Sequence, residues 1–158
     1  MVGIRACAFR FGNVVGPRQT HGVGFDFIRR LESLPDHLRI LGDGTQSKSY
    51  IHVDDVVSAV LLAHAKAPRP FETYNVATGD YITVTEIARI AVETLRLDPS
   101  GTKFIYSGGD RGWKGDVPVV RLNTDRIQSI GWTCGRNTGD ALRVSMQALL
   151  GDAQLARL

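Results

Sequence analysis

Ile4-Arg5-Ala6-Cys7-Ala8-Phe9-Arg10-Phe11-Gly12-Asn13-Val14-Val15-Gly16-Pro17-Arg18 is the stretch on which the reading of the fold turns. Residues 4–11 are mostly apolar and end in a Gly-Asn…Gly-Pro turn signal, the pattern of a strand that stops abruptly. A second run, Thr73 to Ala77, reads the same way. Both look like central parallel strands. Two such strands cannot make a doubly wound sheet, so the pattern suggests part of a larger fold.

Between and beyond these runs, helices alternate with short strands, which argues for an α/β chain. Phe25 to Leu34 reads as a short helix that Pro35 stops. Leu38 to Leu41 is a short strand ending at Gly-Asp-Gly, and Ser49 to Val53 is extended. Asp54 and Asp55 open a helix reaching about Lys66, their carboxylates matching the positive end of the helix dipole. Val56, Val57, Ala59, Val60, Leu61, Leu62 and Ala63 leave it almost no polar face, so packing on two sides is expected. Thr83 and Glu86 form a capping-box pattern for a helix to Arg96, with Ile87, Ile90, Ala91 and Leu95 on one face. Lys103 to Tyr106 is a strand before a Gly-rich loop at 108–115. Helices from Thr124 to Ile130 and from about Thr138 to Leu150 complete the pass.

Composition narrows the classes. The chain has 158 residues, 43% of them hydrophobic and 22% charged, an ordinary globular balance with enough chain for one core. No apolar run approaches the roughly 20 residues of a membrane helix, and Arg5 and Arg10 interrupt the start too soon for a signal peptide. A cytoplasmic setting is the expectation. The net charge of +3 is scattered, without a basic block, which suits a small anionic ligand better than nucleic acid. Cys7 and Cys134 are too few for a disulfide framework and have no His at metal spacing. Both read as reduced structural thiols, Cys7 as buried. His21, His37 and His64 lack partners at ligand spacing, so no metal site is expected.

Three segments carry more than local structure. One is Phe9 to Arg18, already quoted. Another is Leu41-Gly42-Asp43-Gly44-Thr45-Gln46-Ser47-Lys48-Ser49-Tyr50-Ile51-His52-Val53-Asp54-Asp55. The last is Gly115-Asp116-Val117-Pro118 followed by Gly131-Trp132. In this order they resemble the extended short-chain dehydrogenases/reductases of the NAD-dependent epimerase/dehydratase family that act on nucleotide sugars, most closely the UDP-glucose 4-epimerase-like ones. The resemblance covers essentially the whole chain. It implies an α/β fold that is the C-terminal portion of a Rossmann-type enzyme: the last sheet strands plus the small α/β substrate-binding domain. Residues 1–17 and 50–80 would be Rossmann-sheet remnants, and 18–49 and 81–158 the nucleotide-sugar-binding lobe.

A nucleotide sugar brings a diphosphate, a ribose diol and a flat base, so its site needs cations, amide donors and a carboxylate. Asn13 lies just past the C-terminal end of a strand, where α/β sheets place ligands, and its carboxamide can donate to a phosphate oxygen. Read alone, it serves equally to stabilise the turn. By resemblance it faces the diphosphate, and Val23 also falls at a substrate position. Lys48 stands where the family commonly has an Arg against the diphosphate, giving a point charge in place of a bidentate fork. Without the flanking motif it would read as a solvated strand lysine. Asp116 matches the residue that accepts from ribose hydroxyls, though an Asp before Val-Pro is also a common turn residue. In many relatives an Arg lies three residues before that Asp. Here Trp113 holds the place, and Arg111 is assigned to phosphate or ribose by proximity. Arg39 and Leu41 match the strand that runs along the base. Phe11 and Gly12 match positions near the nicotinamide. His52 reads as a structural residue at a strand-to-helix corner.

The family's chemistry also needs a dinucleotide-binding Gly-rich turn and a Tyr-x-x-x-Lys pair. Neither occurs: four residues after Tyr50, Tyr74, Tyr81 and Tyr106 stand Asp54, Thr78, Thr85 and Asp110. No catalytic residue is therefore assigned. The expectation is the nucleotide-sugar-binding part of an NAD-dependent epimerase, inactive by itself. It would bind a UDP-linked sugar, partner a missing N-terminal Rossmann half and work as a homodimer when complete. NAD belongs to the completed enzyme and is not expected to bind this part alone. The alternatives are a fragment of a nucleotide-sugar 4,6-dehydratase or decarboxylase, and a non-catalytic nucleotide-sugar-binding or partner-binding module.

Overall fold

A computed structural model describes residues 3–109, 112 and 121–155. The chain runs β1 (Ala6–Phe11), β2 (Asn13–Val15), α1 (Val23–Ser33), β3 (His37–Ile40), β4 (Ser47–Lys48) and β5 (Tyr50–His52). It continues through α2 (Val53–Lys66), β6 (Phe71–Val76), β7 (Ile82–Thr83), α3 (Val84–Thr94), β8 (Lys103–Tyr106), α4 (Asp125–Ser129) and α5 (Thr138–Leu155). The strands pair two by two. β1 with β6, β2 with β5 and β3 with β8 are parallel, and β4 with β7 is antiparallel. The expected alternation of helices and strands is present, and the two runs read as central strands are each other's partners.

Two apolar clusters hold these elements. The larger joins Phe27, Ile28 and Leu31 of α1, Leu38 and Ile40 of β3, Ile87, Ile90, Ala91 and Val92 of α3, and Leu142 and Met146 of α5. Both α1 and α3 are strongly amphipathic, so each turns one stripe inward. The smaller gathers Ile51, Ala59, Ala63, Tyr74, Val76, Ile127 and Trp132. Cys7 and Cys134 are free and only half-buried at its margin, so Cys7 is less enclosed than its apolar run suggested.

Local chemistry sets the helix ends. Thr83 Oγ1 accepts from the Glu86 N–H while the Glu86 carboxylate accepts from the Thr83 N–H, the capping box read from the sequence. Helix α2 is capped one residue earlier than expected, by His52 Nδ1 accepting from the Asp54 N–H at 3.2 Å. Its expected packing on two sides is not seen among the described residues: Val57 is 51% and Leu61 63% exposed. Helix α5 is held from outside, since its first N–H, on Thr138, donates to both carboxylate oxygens of Asp80 at 3.1 and 3.0 Å.

Candidate functional site

A cleft of about 500 Å³ opens between α1 and the segment that leads from β3 into β4. That volume suits a ligand of nucleotide size. Four residues singled out in the sequence line it together: Asn13, Val23, Leu41 and Lys48. They come from four different elements or loops, which is why sequence adjacency alone could not group them.

Each is positioned by a local rule. Asn13 begins β2, and its Nδ2 donates to the Ser49 carbonyl at 3.0 Å, leaving the second amide hydrogen able to serve a ligand. Ser49 is fixed in turn, its Oγ lying 2.8 Å from Thr78 Oγ1, which lies 2.8 Å from Thr138 Oγ1. Lys48 stands half-buried on β4, registered opposite Ile82. Val23 is the first residue of α1. Gly22 precedes it with φ 101° and supplies no side-chain cap, so the helix's first amides meet the cleft without a side-chain acceptor from that position.

The lining charges are mixed. Lys48 and Arg30 are cationic, while Asp26 places a carboxylate in the first turn of α1. Opposed to it are one more cation and the helix dipole, a balance that favours an anion with neutral parts around it.

The other predicted residues fall elsewhere. Arg39 is exposed on β3 and does not line the cleft, and its carbonyl accepts from Arg30 Nη1 at 3.1 Å. Phe11 and Gly12 sit at the end of β1, outside the lining, with Phe11 stacked on Phe9 at 5.8 Å between ring centroids. A β-carbon on Gly12 would meet Ala77 at 3.6 Å and Ser49 at 3.7 Å, ordinary contacts, so no cradle there depends on glycine. Arg111 and Asp116 lie outside the described residues, as do Trp113 and Gly115 to Pro118. His52 is buried at the β5–α2 corner, the structural place expected of it. No group of three or more His, Cys, Asp or Glu able to hold a metal ion occurs among the described residues.

Gln46, Tyr50 and Val84 also line the cleft and were not singled out from the sequence. For Gln46 a signal existed: it stands two residues before Lys48 on an extended segment, and alternate residues of a strand share a side.

Residues 1–77 match the NAD-dependent epimerase/dehydratase family. The chain is 33% identical over 114 residues to a dTDP-4-dehydro-6-deoxy-D-allose reductase of a Streptomyces species, covering 62% of this chain and 32% of that protein. A solved UDP-galactose 4-epimerase superposes with a TM-score of 0.77 at 33% identity, over 94% of this chain and 46% of the other. A UDP-glucose 4-epimerase from Thermotoga maritima, solved with UDP-glucose, gives a TM-score of 0.76 at 28% identity, again over 94% and 46%. The chain is thus similar to NAD-dependent epimerase/dehydratase proteins over its first half and shares the Rossmann-type α/β fold of the solved epimerases. It spans about a third of the curated relative's length and under half of each solved structure. Among the described residues, no helix is long and apolar enough to cross a membrane.

Proposed function

We propose that the chain is the nucleotide-sugar-binding part of an NAD-dependent nucleotide-sugar epimerase of the UDP-glucose 4-epimerase kind. The observation that carries this reading is the convergence of Asn13, Val23, Leu41 and Lys48 on one cleft. Lys48 supplies the cation for the diphosphate, Asn13 an amide donor, and the start of α1 at Val23 further N–H groups. Leu41, 53% exposed, offers an apolar surface to the base, and Arg39 continues that strand. Arg111 and Asp116 complete the phosphate and ribose contacts in this reading.

The chain's contribution is binding and orientation, holding the sugar where hydride and proton transfer occur. NAD, when bound in the whole enzyme, supplies the hydride chemistry. Phe11 and Gly12 would touch only an edge of it, and the sequence holds neither a Gly-rich turn nor a Tyr-x-x-x-Lys pair, so this part is inactive alone. Residues 1–17 and 50–80 belong with the Rossmann sheet, and 18–49 and 81–158 with the sugar-binding lobe. The smaller apolar cluster supports that division, although Ile127 and Trp132 cross over to it. A cytoplasmic setting and a homodimer of the whole enzyme go with this reading. A second reading keeps the site and changes the reaction to another nucleotide-sugar conversion; the likeness to a dTDP-sugar reductase favours it.

The test is calorimetric titration of UDP against the purified chain and its Lys48 variants. Lys48→Ala should raise Kd about tenfold or more, since a charge-assisted contact is worth roughly 1.5–3 kcal/mol. Lys48→Arg should bind as well or better. Unchanged affinity in Lys48→Ala would remove Lys48 from the site.

A further inference from the structure

Two polar atoms in the cleft wall have no hydrogen-bond partner among the described residues: Nε2 and Oε1 of Gln46, a residue only 6% exposed. An amide buried with both its donor and its acceptor unpaired is costly, because it has given up water and received nothing. Such groups are rare in folded chains and call for a cause. The seat of this one is specific. A β-carbon on Gly42 would stand 1.6 Å from Nε2, 2.7 Å from Cδ and 3.0 Å from Oε1, so the carboxamide fills the space that any side chain at 42 would take. Gly42, at φ 83°, is itself pinned: its N–H donates to Ser107 Oγ at 2.9 Å and its carbonyl accepts from the Gly108 N–H at 3.0 Å.

The position along the strand says what the amide faces. The Gln46 carbonyl accepts from the Val84 N–H at 3.0 Å, extending the ladder in which Ser47 opposes Thr83 and Lys48 opposes Ile82. Alternate residues of a strand share a side and stand about 6.5–7 Å apart. Gln46 is therefore one such step from Lys48 and beside Gly42, which follows Leu41, and Gln46, Lys48 and Leu41 all line the cleft. With Lys48 on the diphosphate, that step is comparable to the span from a nucleotide's phosphate to its base. We propose that Gln46 reads the base: its carboxamide turns off Gly42 into the cleft and pairs with an N–H and the adjacent carbonyl on the base edge. The turn breaks no hydrogen bond to the described residues, since the amide makes none with them. An imide edge such as uracil's, an N–H flanked by two carbonyls, matches the paired donor and acceptor of Gln46 in either orientation. The inference rests on the nucleotide-sugar reading of the cleft.

The test compares UDP with N3-methyl-UDP, which lacks the N–H, on the purified chain and on Gln46→Leu and Gln46→Glu, with thermal melting followed on the same samples. The unaltered chain should bind UDP about tenfold or more tighter than the methylated form. Gln46→Leu should bind the two alike, and both weakly. Gln46→Glu keeps the shape but loses the donor, so it should also weaken UDP binding, and it supplies the measurement if the Leu variant melts early. A Gln46→Leu variant that keeps the preference for UDP over N3-methyl-UDP overturns the base-reading role, whatever its affinity, because a packing role alone would leave that preference intact, and so does a Gln46→Glu variant that binds UDP as tightly as the unaltered chain. Equal binding of both ligands by the unaltered chain overturns it as well while leaving the nucleotide site standing. Failure to bind either one overturns both readings.

Discussion

The lobe built on α1, α3 and α5 and the layer built on β1, β6 and α2 treat their apolar residues differently. In the lobe, Ile28, Leu31, Leu38, Ile40, Ile87 and Leu142 are each no more than 1% exposed. In the layer, Phe71 on β6 is 63% exposed, Phe11 on β1 41%, and Val57 and Leu61 on α2 51% and 63%. Strand β1 has β6 on one side and no strand on the other among the described residues. The lobe closes its own core. The layer has the sequence of a buried α/β sheet and the exposure of a sheet margin. Stability of the chain should therefore reside in the lobe, and the layer should tolerate polar substitution.

The strongest test of that contrast is Ile87→Ala, which opens a cavity where α3 meets the larger cluster. A loss of about 2–5 kcal/mol in denaturant unfolding is expected. A loss near zero would mean that the lobe's core does not control unfolding. Next in size is Asp80→Ala. Burial pushes the Asp80 carboxyl up, but hydrogen bonds from Thr78 and Thr138 outweigh it and hold its pKa below the ordinary carboxylate value. Removing this cap from α5 should cost about 0.5–2 kcal/mol. The sign for pH follows from the lowered value. The Asp80 contribution is full above the unfolded carboxylate range near pH 4, fades as pH falls through the lower folded value, and is absent from the Ala variant throughout. The gap between the two melting curves should therefore narrow on acidification; a gap that widens would show the carboxylate is not what holds Thr138.

Much of the lobe was legible because local signals and tertiary packing agree there. The Thr83–Glu86 box fixed the start of α3. Pro35 explained why α1 stops at Ser33. The grouping of Asn13, Val23, Leu41 and Lys48 was legible through motif order. The unpaired state of Gln46 was not, because a glutamine in a polar turn looks solvated until the turn is seen folded over Gly42. β2 and β7 escaped notice because strands of three and two residues carry no period. The two-sided cover expected of α2 failed for a different reason. Apolar periodicity records what a face is suited to meet, and within this chain the Val57 and Leu61 face meets solvent.

The smallest expected effect sits on that face. Leu61→Lys exchanges a side chain already 63% exposed for one that water solvates well, on a helix with Asp54 exposed in its first turn. Lysine is also a good helix former. Little area leaves contact with the core, so chemical unfolding of the purified chain should move by no more than about 0.5 kcal/mol. Binding of a hydrophobic dye should fall, because the Val57–Leu61 pair, one helical turn apart, loses half its apolar surface. The two readouts must move independently to support the contrast. If Leu61→Lys instead costs as much as Ile87→Ala, the α2 face is covered in the folded chain, and the division between a closed lobe and an open layer is wrong.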